Sequence, residues 1–176
     1  GEYRFEKPPL TYWWMRVHYW ILGKSELGAR LHSMFASMLV AFGMVSFAAR
    51  LKRKWLGWMA AFGWLTCMQV FQHGRLALAD MPMVAAVFFA NRAWFELLFP
   101  EDGKERSRLW CWVLYISLGL GFLAKGPLGI VVPMLSLLLF RFAFWRKPLT
   151  WRSLKIWAGL PVTFAMIAAW GIPALI

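Results

Sequence analysis

Negative charge is scarce in this chain: 8 Asp and Glu residues stand against 20 Lys and Arg in 176 positions. Charge of either sign is scarce too, at 16% of residues, where a soluble domain carries about 25%. That excludes an ordinary water-soluble domain. Cysteine is limited to Cys67 and Cys111. Both lie in apolar runs, with no CxxC spacing and no neighbouring histidine. This excludes a disulfide framework and a zinc signature, and both thiols are expected to be buried and inert. The three histidines, His18, His32 and His73, are isolated and lack metal spacing. His73 reads as a packing or interfacial residue. There is no Gly-rich phosphate loop and no Ser-His-Asp arrangement. Internal repeats, low-complexity stretches and a signal peptide are also missing. Only residues 100–108 form a polar loop of any length.

What is abundant is apolar surface. Hydrophobic residues make up 61% of the chain, with 13 Trp, 15 Phe and a mean hydropathy of +0.54. The chain reads as a membrane protein. The net charge of +12 falls between apolar segments rather than on one polar domain. That is the pattern of loop charges that set topology, and it excludes a nucleic-acid partner.

A membrane-crossing helix needs about 20 apolar residues. Candidate spans are 31–50, 55–72, 81–99, 109–124, 128–144 and 156–176. The second is short and glycine-broken, and the third is interrupted by Asn91 and Arg92. That pair is expected to face the bundle interior. Residues 8–22 would make a helix of only about 22 Å. Leu10, Trp13, Trp14, Val17 and Ile21 recur there at helical spacing, with Thr11, Met15, Arg16 and Tyr19 largely opposite. This reads as a helix lying in the interface. The fold class is therefore all-α: a polytopic transmembrane helix bundle of about six spans plus one interfacial amphipathic helix. Residues 1–30 form an external loop segment carrying that helix, and 31–176 form an incomplete transmembrane core. The chain runs from Gly1 to Ile176 inside an apolar stretch and is expected to be a piece of a longer protein.

Lys and Arg set the orientation. Arg50, Lys52, Arg53, Lys54, Lys104, Arg106, Arg108, Arg141, Arg146, Lys147, Arg152 and Lys155 outnumber Arg4, Lys7, Arg16, Lys24, Arg30, Arg75 and Lys125 on the alternate side. The first set belongs in the cytoplasm. Glu6, Lys7, Arg75, Asp80 and Lys125 then all face outward.

These five are the charges hardest to explain as loop residues. Glu6 and Lys7 precede Pro8, Pro9 and an aromatic cluster, Tyr12 to Trp14. The prolines stiffen the backbone and suit a helix start. A carboxylate there could bind a divalent cation or orient an acceptor, and an ammonium could hold a phosphate. The bland alternative is a solvated loop. Asp80 lies in HGRLALADMP. It reads as a helix N-cap, with Pro82 in the first turn, or as a site carboxylate; Arg75 is its nearest cation in sequence. Lys125 lies in FLAKGPLG, where Gly and Pro end one helix and start another. It is either a snorkelling lysine or a second cation for an anionic ligand.

The strings GEYRFEKPPLTYW, GRLALADMP and FLAKGPLG, in this order and spacing, resemble the bacterial integral-membrane glycosyltransferases of the ArnT and protein O-mannosyltransferase type, in the GT-C superfamily. The resemblance runs through nearly the whole chain. It implies a sugar donor on a polyprenyl phosphate, in bacteria undecaprenyl phosphate, and transfer to a lipid A-like or protein acceptor on the outer face of the cytoplasmic membrane. By resemblance Lys7 holds the lipid phosphate; Arg75 and Lys125 are further candidates for the donor phosphate as outward-facing cations. Glu6 takes a metal or acceptor position, and Asp80 is an active-site carboxylate. The family's leading candidate for the base lies in an Asp-Glu pair upstream of FEKPP, a stretch not present here, so this piece alone is expected to be inactive. The alternatives are a transporter or flippase for an anionic amphiphile, for which no paired broken helices stand out, and a purely structural membrane subunit.

The orientation is testable with single-cysteine variants of the full-length protein in intact cells. Position 7 should label from outside and position 106 should not. The opposite pattern reverses the topology and dissolves the outward-facing cluster.

Overall fold

The structure, a computed structural model, describes residues 9–100, 108–143 and 156–175. The described chain folds as α1 (Leu10–Leu22), α2 (Glu26–Arg50), α3 (Lys54–Thr66), α4 (Met68–Arg75), α5 (Asp80–Leu98), α6 (Arg108–Lys125), α7 (Leu128–Ala143) and α8 (Ile156–Leu175). No strand occurs among the described residues, so the all-α expectation stands. By length and composition α2 and α6 can each cross a membrane. Helices α4 and α5, bent by 118° at their junction, can together make a third, broken span. The apolar stretches Leu128–Phe140 of α7 and Gly159–Gly171 of α8 are shorter.

Helix α2 starts where Ser25 accepts a hydrogen bond from the Gly28 amide at 3.1 Å, with Glu26 in its first turn. This is an N-cap with a carboxylate at the positive end of the helix dipole. The expected single span 55–72 is corrected. It breaks at Cys67, whose backbone is extended at φ −60° and ψ 126°. Thr66 Oγ1 donates back to Phe62 O at 2.8 Å, a side-chain bond that competes with regular helix at this point. The turn brings Val70 of α4 into a core with Ala36 and Val40 of α2 and Met81 and Ala85 of α5. It also leaves Cys67 exposed rather than buried, while Cys111 is buried as expected.

Helix α5 sits at the centre. One face joins that core. The other packs Ala90, Ala93, Trp94 and Leu97 against Cys111, Leu114, Tyr115 and Leu118 of α6. Helices α6 and α7 touch backbone to backbone: a Cβ added to Gly129 would lie 2.0 Å from the Gly121 carbonyl carbon. Small residues permit this approach, the usual device where helices associate in lipid. Thr163 of α8 donates to Tyr115 O at 2.8 Å. Around the outside, Trp20, Trp55, Phe62, Phe142 and Trp157 are exposed, as lipid-facing side chains should be.

Arg92 does face the interior. It is 6% exposed and pairs with Glu96, one turn on and 7% exposed, at 2.9 Å. Arg50, at the end of α2, reaches the other Glu96 oxygen at 3.2 Å and donates to Phe99 O at 3.0 Å. The Arg92 guanidinium also donates to Gly43 O at 3.4 Å and lies 4.6 Å from the Phe47 ring centroid and 5.2 Å from that of Trp110. One buried carboxylate thus holds two guanidinium groups, Arg92 buried beside it and Arg50 partly exposed. The bond ties the far end of α5 to α2.

Removing that carboxylate strands two cations. Glu96→Ala should destabilise the full-length protein by about 3–5 kcal/mol. Replacing the pair together, Arg92→Leu with Glu96→Leu, should cost less than Glu96→Ala alone. Chemical unfolding in detergent would measure both; a double variant weaker than the single one would show that the pair stabilises beyond its own neutralisation.

Candidate functional site

At the end of the bundle opposite Arg50 and Glu96, the start of α5 meets the end of α6, and α1 lies across them. Asp80 opens α5 with Pro82 in its first turn, where the missing amide costs nothing. Lys125 closes α6. The next residue, Gly126, takes φ +70°, and its amide donates to Phe122 O at 2.6 Å. Glycine adopts that conformation without a Cβ penalty, so the helix stops there and leaves Lys125 on its last turn. Pro127 then opens the turn into α7.

These two ends bring the Lys125 ammonium and the Asp80 carboxylate into a direct ion pair. Asp80 is 29% and Lys125 43% exposed, so both remain open to the space in front of them. That space is a cavity of about 340 Å³ lined by Thr11, Tyr12 and Met15 of α1, the linker Ala77 to Ala79, Asp80, Ala124 and Lys125. Thr11 packs inward with its hydroxyl oxygen buried and unpaired. Trp13, Val17 and Ile21 turn outward. Helix α1 has 13 residues, about 20 Å, too short to cross the hydrocarbon. It lies as an amphipathic helix should, with the apolar stripe out and the Thr11–Met15–Tyr19 side against the bundle.

The structure sorts the sequence candidates. Asp80 and Lys125 come together. Arg75 does not join them: it lies over the Phe71 ring, 5.0 Å from the centroid, and lines a separate groove with Glu26 and Arg30. Asp80 is not an N-cap either. Ala79 holds that position, makes no side-chain cap bond, and the Asp80 carboxylate turns to Lys125 instead. Glu6 and Lys7 lie outside the described residues; the chain leaves them and enters α1 at Leu10, beside the cavity. No group of three or more His, Cys, Asp or Glu side chains that could hold a metal occurs among the described residues. Glu6, the residue considered for a divalent cation, lies outside them.

Two features were missed from sequence. Glu96 had a signal, the i,i+4 spacing from Arg92. His32 had none. It is fully buried, with Nε2 3.2 Å from Leu78 O.

The fold and the paired charges define a helical membrane protein with an ionic site at one end of its bundle. The family profile described as dolichyl-phosphate-mannose-protein mannosyltransferase matches residues 6–172, and the chain belongs to that family. It is 34% identical over 135 residues to the undecaprenyl phosphate-alpha-4-amino-4-deoxy-L-arabinose arabinosyl transferase 2 of Sodalis glossinidius. It is 32% identical over 136 residues to the corresponding transferase of Yersinia enterocolitica. Each match covers 76% of this chain and 24% of the relative, so the matched part is about a quarter of those proteins' length. In fold it resembles the crystal structures of ArnT from Cupriavidus metallidurans in the apo state and bound to undecaprenyl phosphate. The TM-scores are 0.87 and 0.88 at 22% identity, covering 97% of this chain and 32% and 31% of those chains.

Because Asp80 caps nothing, Asp80→Asn and Asp80→Ala should be equally stable. Each should lie within about 1 kcal/mol of the parent, as the pair is open to water. An unfolding comparison of the two variants in the full-length protein decides it; a clear deficit of Ala relative to Asn would restore the capping role.

Proposed function

We propose that this chain is the outward-facing catalytic end of a membrane glycosyltransferase. It moves a sugar from an undecaprenyl phosphate, or other polyprenyl phosphate, to a lipid A-like or protein acceptor. The family assignment and the activities of the relatives support the class. The observation that carries it to this site is the Asp80–Lys125 pair in the cavity beneath α1, directly after the Glu6-Lys7-Pro-Pro string. On this proposal the protein lies in the bacterial inner membrane with this end facing the periplasm, as the distribution of Lys and Arg supports.

The chemistry sets the requirements. The acceptor oxygen forms a bond to the anomeric carbon as the carbon–oxygen bond to the phosphate breaks. The electron pair leaves with the polyprenyl phosphate, so positive charge must sit where that phosphate ends up. An ammonium has three N–H donors. Asp80 takes one from Lys125 and fixes its direction, which leaves two for an anion in the cavity. Lys7 supplies a second cation from the segment leading into α1. Arg75 is left out of this set because its groove is elsewhere. Glu6 orients the acceptor, and the proton of the acceptor passes to a carboxylate outside residues 1–176.

In the full-length protein, Lys7→Ala should remove a charge-assisted phosphate contact of about 1.5–3 kcal/mol and lower turnover roughly ten- to a hundred-fold. Lys7→Arg should rescue it in part, since a planar fork replaces a point charge. Transfer assayed with undecaprenyl phosphate-linked aminoarabinose and lipid A reads both. Unchanged turnover in Lys7→Ala would take this residue out of the site.

A further inference from the structure

The linker 76–79 carries Asp80 into the cavity, and its middle is gripped from behind. Leu78 O accepts from two side chains of α2: His32 Nε2 at 3.2 Å and Ser33 Oγ at 3.2 Å. Ser33 Oγ also lies 3.2 Å from His32 Nε2, so the carbonyl is met by both side chains when Nε2 carries the histidine proton. His32 and Ser33 are both fully buried.

The grip is itself anchored. Ser37 Oγ donates to Ser33 O at 3.0 Å, and Trp64 Nε1 of α3 donates to Ser37 O at 3.1 Å. A polar strip along α2, His32–Ser33–Ser37, therefore locks both the end of α3 and the linker. The linker needs such a lock. It joins two helices bent by 118°, and its side chains at Leu76 and Leu78 are exposed. The Leu78 carbonyl lies two residues before Asp80, so its two donors fix the linker just where it enters α5, next to Met81 packed against α2.

We propose that His32, with Ser33, is a positioning residue. It holds the Leu78 carbonyl so that Asp80 meets Lys125 and directs the ammonium at the anionic donor. It touches no substrate and acts through Asp80. This rests on the reading of Asp80 and Lys125 as the transfer site.

The test uses the full-length protein with two readouts: amide hydrogen exchange across residues 76–80, and transfer from undecaprenyl phosphate-linked aminoarabinose to lipid A. His32→Phe keeps the ring and removes the donor. It should speed linker exchange roughly tenfold, the equivalent of losing hydrogen bonds to one buried carbonyl. It should lower kcat by a similar factor, with KM for the acceptor little changed. His32→Gln, which returns an N–H near the Nε2 position, should recover most of both. In an Asp80→Asn background, His32→Phe should cause no further loss of turnover, because the two act as one unit. Unchanged linker exchange in His32→Phe overturns the proposal, as does the same fold-loss on top of Asp80→Asn. If His32→Phe does not fold, Ser33→Ala takes its place, and unchanged linker exchange there overturns it equally. Exchange does not depend on the reaction. A loosened linker in a protein that transfers no sugar would uphold the grip and reject the glycosyl-transfer reading instead.

Discussion

A charge inside a membrane helix must find its partner within the protein, because the surrounding hydrocarbon offers none. Helix α5 carries this demand at both ends. Near its far end Glu96 gathers Arg92 and Arg50, and so binds α5 to α2. At its start Asp80 takes Lys125, and so binds α5 to α6. The apolar faces follow from these two fixed points: Ala90, Ala93 and Leu97 against α6, Met81 and Ala85 against α2 and α4. The helix with the most awkward composition for a membrane becomes the axis of the bundle for that reason.

The two ion pairs differ in what surrounds them. The Arg92–Glu96 pair is buried, with aromatic rings over the Arg92 guanidinium and the Gly43 and Phe99 carbonyls taking further donors from Arg92 and Arg50. A buried cluster contributes stiffness and a fixed register. The Asp80–Lys125 pair is left partly open, facing a cavity. An open pair contributes little to stability, but its spare donors stay accessible to an anion. The difference in burial separates a structural pair from a candidate site more clearly than residue type does.

Helix α2 adds a third kind of polar contact. Its inner strip of His32, Ser33 and Ser37 bonds to backbone and side chain of neighbouring elements rather than to charge. Hydrogen bonds of this sort are directional and short-ranged. They are suited to holding an irregular linker, which has no helical ladder of its own to define it.

How much of this was legible in the chain depended on the range of each interaction. Apolar run lengths, Gly126–Pro127 and the scarcity of carboxylates are local properties. They were enough to read an all-α membrane protein, the turn after Lys125, and Asp80 and Lys125 as charges worth attention. Arg92 could be turned inward on the cost of exposing it to lipid alone. The FEKPP, DMP and KGP strings carried the family. Contacts distant in sequence were another matter. Arg75 stood nearest to Asp80 along the chain, yet Lys125, 45 residues away, is the partner, because the ends of α5 and α6 meet in space. Residues 55–72 looked like one span, and only packing of Val70 against α2 shows why the helix turns at Cys67. His32 had no sequence signal, since its role depends on a carbonyl 46 residues on. Hydropathy and turn chemistry are written residue by residue; which charge answers which, and which carbonyl a buried histidine holds, is decided only when the helices are packed.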